Sequence, residues 1–313
     1  MGPSFDPHSP QTQSIAAVFS IVLVIVAVVF LVVAVGVIYS IVRYRSRAAS
    51  APEPRQIFGS RKLEVLWTVV PLLIVAGLFI VTVRAMVFID APQDSSRPPD
   101  LVITGHQWWW EVRYPGSATA AGIIATGDIH MPTSRRLLAR IESADVIHDF
   151  WAPQLARKMD AVPGRWSYIW LEADTPGTYD GACSEFCGAE HAWMRFRVIA
   201  EPQSTFDAWL KLQAQPPPEP AGIAAEGARL FQTKKCADCH AVTGTAIELR
   251  KGPSLAHLAI RELLGSGISR NTPDNLALWL TNPQAAKPGN RMPDTPLSAD
   301  EARTLLAYLE TLR

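Results

Sequence analysis

Cys183-Ser184-Glu185-Phe186-Cys187, followed by His191 and Met194, brings two thiols, an imidazole and a thioether into twelve residues. Soft thiolate and thioether ligands select copper or iron–sulfur centres, and imidazole suits copper and zinc. Two cysteines four residues apart have the reach to bridge two metal ions, leaving His191 and Met194 as terminal ligands. A disulfide between Cys183 and Cys187, or a mononuclear zinc site, would explain the cysteines alone. The added histidine and methionine favour copper.

The loop resembles the binuclear copper A loop of cytochrome c oxidase subunit II. That resemblance implies that Glu185 ligates through its backbone carbonyl and that a second histidine comes from an earlier loop. It also makes the Glu185 side chain a candidate ligand for magnesium at the boundary with subunit I. The chain has seven histidines. His8 precedes an apolar segment, and His240 and His257 fall in a different region. His106, His130 and His148 remain. The segment Asp145-Val146-Ile147-His148-Asp149-Phe150-Trp151-Ala152-Pro153 resembles the family segment that supplies the first copper histidine, which makes His148 the candidate. His106 and His130 read more simply as strand or turn residues, although spacing alone does not exclude His130.

The other two cysteines lie in Cys236-Ala237-Asp238-Cys239-His240, the attachment pattern of c-type haem. Both thiols would form thioethers, and His240 would be the proximal iron ligand. A zinc knuckle would need more ligands than lie nearby. Beyond Cys239 the candidates for the sixth ligand are Met292 and His257. Met292 sits in the proline- and glycine-rich stretch Lys287-Pro288-Gly289-Asn290-Arg291-Met292-Pro293, which resembles the loop where class I cytochromes c place their axial methionine. A Met/His pair raises the haem potential, as electron carriers require. Gly252-Pro253-Ser254-Leu255 resembles the cytochrome c segment beside the haem. All four cysteines thus have chemical assignments, and none is left for a structural disulfide.

A chain of 313 residues predicts roughly two domains. Its net charge of zero gives no indication of a nucleic-acid partner. Ile15 to Val42 contains no charged residue, and Leu63 to Val83 is a second apolar run with Glu64 at its start. Each is long enough to cross a bilayer as a helix. The stretch between them carries Arg43, Arg45, Arg47, Arg55, Arg61 and Lys62 against Glu53, whereas residues 1–14 have no lysine or arginine. The positive-inside rule therefore places that stretch in the cytoplasm, and the N-terminus and everything after residue 90 outside. The first segment lacks the basic start and short apolar core of a cleaved signal peptide, so an uncleaved hairpin in a bacterial inner membrane is expected. With no cysteine near the start, a lipidated N-terminus is not expected.

Residues 100–200 read as short strands separated by glycine and proline turns: Leu101 to Thr104, Gln107 to Tyr114, Trp166 to Glu172 and Trp193 to Ala200. This predicts a β-sandwich or barrel. Alternation along Gly105-His106-Gln107-Trp108-Trp109-Trp110 would put Trp108 and Trp110 on one face and Trp109 on the other. Phe206 to Gln213 reads as a short helix. Gln215-Pro216-Pro217-Pro218-Glu219-Pro220 is a stiff linker, expected to hold the last region off the sandwich. That region is helical: Glu226 to Gln232, Pro273 to Thr281 capped by Thr272 or Asn271, and a final helix opened by the capping box Ser298 to Glu301. No internal repeat is present.

The resemblance covers nearly the whole chain, to subunit II of a caa3-type haem–copper oxidase with a fused cytochrome c domain. It implies a multidomain membrane protein: a transmembrane hairpin in residues 1–90 (helices about 15–42 and 63–89), a cupredoxin-like copper A domain in 91–215, a linker in 216–220 and an all-α class I cytochrome c domain in 221–313. It further implies electron flow from a soluble donor through haem c and copper A to haem in subunit I, for oxygen reduction coupled to proton pumping, with subunits I and III as partners. In the family the first aromatic of the tryptophan run lies between copper and the docking surface for cytochrome c, which makes Trp108 a candidate electron-transfer residue. A tryptophan-rich strand is more often core. Glu64-Val65-Leu66-Trp67 resembles the family segment that contributes a carboxylate to a proton-uptake entrance; an interfacial anchor paired with Arg61 or Lys62 is the alternative. A copper chaperone would lack Met194, the hairpin and the haem motif. The copper A subunit of a nitric oxide reductase, or a membrane-anchored electron-transfer module, are the rival functions.

Overall fold

The structure is a computed structural model, and it describes residues 6–45, 58–93, 97–116, 122–243 and 251–313. Arg47, Glu53 and Arg55, on which the expected orientation partly rests, lie outside these residues.

Two long helices come first. Helix α1 spans Pro10–Arg43 and α2 spans Arg61–Ile89, so α1 exceeds its expected bounds at both ends and α2 at its start. Proline at the first helical position of α1 is the residue whose missing N–H costs nothing there. At 1.5 Å per residue the helices are about 51 and 44 Å long, beyond the ~30 Å hydrocarbon core of a bilayer. Their valine, leucine, isoleucine and phenylalanine side chains are exposed along almost the whole length, as a lipid-facing surface requires. Ser14, Ala17, Val18 and Ile21 of α1 share a crevice with Val81, Arg84 and Ala85 of α2.

The sandwich is built from ten strands: β1 (Leu101–His106), β2 (Trp109–Tyr114), β3 (Ile123–Thr126), β4 (Asp128–Pro132), β5 (Leu137–Ser143), β6 (His148–Trp151), β7 (Met159–Ala161), β8 (Ser167–Leu171), β9 (Gly177–Cys183) and β10 (Arg195–Glu201). One sheet has the order β3-β2-β1-β5-β8, the other β4-β10-β9-β6-β7. Pairs β1–β5 and β4–β10 are parallel and the remaining pairs antiparallel. Strand β10 shows the alternation that makes a half-buried strand: Phe196, Val198 and Ala200 are buried, with Arg195, Arg197 and Ile199 between them less so. Phe150 stacks on Phe196 at 4.5 Å, and Trp110 meets both edge-on at 5.7 Å. Residues 6–12 lie against the same domain: Ser9 Oγ donates to Leu155 O at 2.7 Å and Thr12 Oγ1 to Gln154 O at 2.9 Å.

The tryptophan run departs from simple alternation. His106 ends β1 and pairs with Trp109, which opens β2, so Gln107 and Trp108 form the hairpin turn. A turn leaves the pleat, and period-two reasoning stops applying to its residues. Trp110 enters the core, Trp109 stacks on His106 at 4.1 Å on the opposite face, and Trp108 belongs to neither row.

Helix α3 (Gln203–Gln213) closes the sandwich, and the helices α4 (Ile223–Thr233), α5 (Pro273–Thr281), α6 (Pro283–Ala286) and α7 (Ala299–Leu309) follow the proline stretch. Phe231 of α4 meets Tyr308 of α7 at 5.7 Å, over a core that includes Leu258, Leu276, Leu280 and Leu305. Thr272, rather than Asn271, caps α5 by accepting from Asn275 N. Both hydrogen bonds of the Ser298–Glu301 capping box form.

The helical domain is not held off the sandwich. Arg197 donates to Glu262 at 2.7 Å, Ser266 Oγ to Trp108 O at 3.0 Å, and Lys287 pairs with Glu190 at 2.9 Å. Proline stiffness fixes the course of the linker itself. The separation of the domains is set instead by contacts distant in sequence, which a linker's composition does not encode.

Because Phe150 is fully buried and stacked, Phe150→Ala is expected to cost about 3–5 kcal/mol. Urea unfolding of the full-length protein in detergent, followed by tryptophan fluorescence, measures it; a loss below about 1 kcal/mol would show that the site collapses around the deletion.

Candidate metal centre

The loop between β9 and β10 carries the candidate ligands. Cys183 closes β9, and its N–H donates to Met194 O at 3.0 Å, just before β10 begins. A single 3₁₀ turn, His191–Trp193, separates the imidazole from the thioether. Ser184 N donates to Asp149 O at 3.0 Å, tying the loop to β6. Cys183, Cys187 and Met194 are all part of the sandwich core.

The two sulfurs are 3.8 Å apart, and neither cysteine is in a disulfide, which would require about 2.05 Å. Met194 Sδ and His191 Nδ1 lie 3.8 and 3.6 Å from Cys187 Sγ. His148 Nδ1 and Glu185 O lie 3.9 and 3.2 Å from Cys183 Sγ. Metal–sulfur bonds of about 2.3 Å meeting at a tetrahedral angle put two sulfurs about 3.8 Å apart. The donor set therefore has the spacing of atoms that share metal ions, with soft sulfur at its centre and imidazoles at its two ends. The hydrogen bond between the cysteines holds the Cys183 thiol far below its ordinary range and pushes Cys187 up.

His148 is fully buried. Its Nε2 meets Asp145 Oδ1 at 2.8 Å, which turns Nδ1 toward the thiols. A Cβ on Gly105 would stand 2.8 Å from the His148 ring, so only glycine in β1 lets the ring through. Burial raises the Asp145 carboxyl, but hydrogen bonds from His148 and from the Val146 and Gln107 N–H groups outweigh it and leave the carboxyl below its ordinary range. The other candidates lie elsewhere. His130 stacks on Trp209 of α3 at 4.1 Å and meets Glu201 at 3.0 Å. His106 stacks on Trp109, and burial pushes its pKa down to about 4.

Trp108 reaches the copper loop from the hairpin turn. Its Nε1 donates to Cys187 O at 3.0 Å, and Gln107 Nε2 donates to the same oxygen at 2.7 Å. Asp145, Gln107 and Gly105 escaped the reading by motif, because they act through hydrogen bonds and clearance rather than as ligands. The acid three residues before His148 is the one signal that could have suggested a histidine orienter.

In the helical domain, Cys236, Cys239, His240 and Met292 line one cavity of about 970 Å³, which also reaches Trp108. His240 Nδ1 lies 2.8 Å from Pro253 O; a carbonyl only accepts, so Nδ1 carries the proton and Nε2 keeps its lone pair. A Cβ on Gly252 would approach the His240 ring to 2.6 Å, so this close packing requires glycine. Burial lowers the His240 pKa and keeps the ring neutral, as iron ligation needs. Met292 N donates to Asn290 Oδ1 at 2.8 Å, and Asn290 Nδ2 is bound to Pro283 O and Lys287 O, so the methionine loop is braced from within. His257 also borders the cavity, but its Nε2 donates to Gln213 O at 3.2 Å. A large cavity bordered by two free thiols, a neutral imidazole and a thioether fits haem c. Glu64 lies in the first turn of α2, where an acid complements the helix dipole.

Three family models match: "Cytochrome C oxidase subunit II, transmembrane domain" over residues 4–84, "Cytochrome C oxidase subunit II, periplasmic domain" over 123–201, and "Cytochrome c" over 224–313. Cytochrome c oxidase subunit 2 of Alkalihalophilus pseudofirmus is 34% identical, across 99% of this chain and 90% of the relative. The protein of the same name from Bacillus sp. is 35% identical, across 83% and 77%. A solved periplasmic domain of cytochrome oxidase subunit II from Bradyrhizobium japonicum covers 37% of this chain and 95% of its own, with 28% identity and a TM-score of 0.34.

Asp145→Asn is expected to weaken copper retention by about 10–100-fold, because the imidazole loses its charged orienter. Copper remaining on the full-length protein against a graded chelator measures it, and unchanged retention would show that Asp145 does not position His148.

Proposed function

The chain belongs to the cytochrome c oxidase subunit II family, and on that premise we propose that it is the electron-accepting subunit of a caa3-type haem–copper oxidase. A soluble donor would reduce the haem c domain, and electrons would pass through copper A to haem in subunit I. One observation carries this reading: the sulfur–imidazole cluster and the haem-motif cavity occur in one chain, with Trp108 bordering the cavity and bonded to the copper loop.

The two groups would supply one-electron carriers. Cys183, Cys187, His148 and Met194, all buried, would hold the coppers together with the half-buried His191 and the Glu185 carbonyl. Cys236 and Cys239 would anchor the haem, His240 would present its free Nε2, and Met292 would face it from the braced loop. Trp108 would lie on the route between the centres. Glu185, which is exposed, would offer its carboxylate to magnesium at the boundary with subunit I. Residues 91–215 and 221–313 would be the copper and haem domains, on the outer side of the inner membrane.

Two experiments test the reading. In the full complex, Cys236→Ala should abolish most oxidation of a soluble donor while the mixed-valence copper spin signal persists; unaffected turnover would make the haem domain an accessory. Met292→Ala should remove the sulfur-to-iron absorption band and lower the haem potential. The opposite assignment holds if His257→Ala does this and Met292→Ala does not.

Glu64 is proposed as a carboxylate at the proton-uptake entrance, since an acid at the end of a membrane helix is a functional candidate. Glu64→Gln should lower turnover with copper reduction unchanged; normal turnover would leave Glu64 as an anchor.

A further inference from the structure

The face between the two domains contains an ion pair that neither redox site requires. Lys287 Nζ and Glu190 Oε2 are 2.9 Å apart, with side chains 4% and 2% exposed. Glu190 Oε1 has no hydrogen-bond partner among the described residues, so Lys287 is the neutralising contact that the structure offers this buried carboxylate. A buried charge without its partner is strongly unfavourable, which makes such a pair sensitive to the separation of the two surfaces that carry it.

The residues around the pair give it a direction. Glu190 precedes His191, and Lys287 opens the Met292 loop. Lys287 Nζ also lies 3.4 Å from Trp108 O, which accepts from Ser266 Oγ at 3.0 Å. Arg291, next to Met292, lies over the Trp108 ring at 5.4 Å and donates to Gln107 Oε1. Gly289 stands close enough that a Cβ would be 3.6 Å from Ala189 Cβ. The methionine loop therefore covers the turn that is bonded to Cys187 O.

We propose that the buried Lys287–Glu190 pair is a latch that seats the Met292 loop on the Gln107-Trp108 turn, so that the copper centre is served by the chain's own haem domain and closed to a soluble donor. This rests on the copper and haem assignments made above. The step is a one-electron transfer, in which haem iron is oxidised and the copper pair reduced, with no atom or proton exchanged. Lys287 and Glu190 are positioning residues, since they act by holding Arg291 and Trp108 together.

The test uses the full-length complex and the variants Lys287→Met and the reversed pair K287E/E190K. In the native complex, rapid mixing with reduced soluble cytochrome c should show copper reduction lagging haem c reduction, and hydrogen exchange of residues 105–109 should be slow. In Lys287→Met, with copper and haem spectra intact, exchange at 105–109 should accelerate, haem-to-copper transfer should slow by about tenfold or more, and part of the copper should be reduced without lag. The reversed pair should restore both. Unchanged exchange in Lys287→Met, or copper reduced without lag in the native complex, overturns the latch. If Lys287→Met loses a spectrum, the reversed pair decides: recovered spectra with slow exchange support the latch, and recovered spectra with fast exchange overturn it. A native complex with protected 105–109 but no electron exchange between haem and copper overturns the functional reading and, with it, the routing claim, whereas haem-to-copper transfer with unchanged exchange in Lys287→Met overturns the latch alone.

Discussion

The carbonyl oxygen of Cys187 is the junction on which the rest of the molecule depends. It accepts from Gln107 Nε2 and Trp108 Nε1, so the loop that carries the thiols is pinned to the β1–β2 turn. That turn is fixed in its own right, since Gln107 N donates to Asp145, and Asp145 also orients His148. A single acceptor thereby couples both ends of the ligand set to one backbone element. Movement of the turn would disturb a thiolate and an imidazole together. A redox centre gains from this rigidity, because its ligands have little freedom to rearrange when charge changes.

Burial imposes the second constraint. Cys183, Cys187 and Met194 sit among Trp110, Phe150 and Phe196, where an unpaired thiolate would be costly. Bound cations would balance charge on those sulfurs, and metal binding would then contribute to folding. The haem cavity follows the opposite pattern. It is bounded on one side by helices whose own core, from Phe231 to Leu312, is separate from the sandwich core, and on the other by sandwich residues such as His106, Trp108 and Arg197. Two independent cores meet at a polar surface of ion pairs and hydrogen bonds, including Arg197 with both Asp128 and Glu262.

The sequence by itself determined which chemistry is present. Cysteine, histidine and methionine at short spacings specify soft-metal and haem attachment because ligands within one loop must reach a common centre, and chain spacing limits that reach. It also determined the two apolar helices, since a bilayer demands an uninterrupted apolar length, and the capped helix starts, since capping is local. The strands from Leu101 to Ala200 were legible by alternation until a turn intervened, as at Trp108.

Only the tertiary structure decided what depends on residues far apart in the chain. Of the three histidines it placed His148 beside the thiols, where the ring passes Gly105 and meets Asp145, while His130 is taken up by Trp209 and Glu201. It paired the His257 ring with the Gln213 carbonyl, 44 positions away, at the border of the cavity that Met292 also lines. It also seated the haem domain on the copper loop, where a stiff linker had suggested separation. Lys287 and Glu190 are 97 positions apart (287 − 190), and nothing local in either segment marks them as partners. Their pairing exists because two folded surfaces bury both charges at once, and burial is a property of the assembled surfaces rather than of any stretch of sequence.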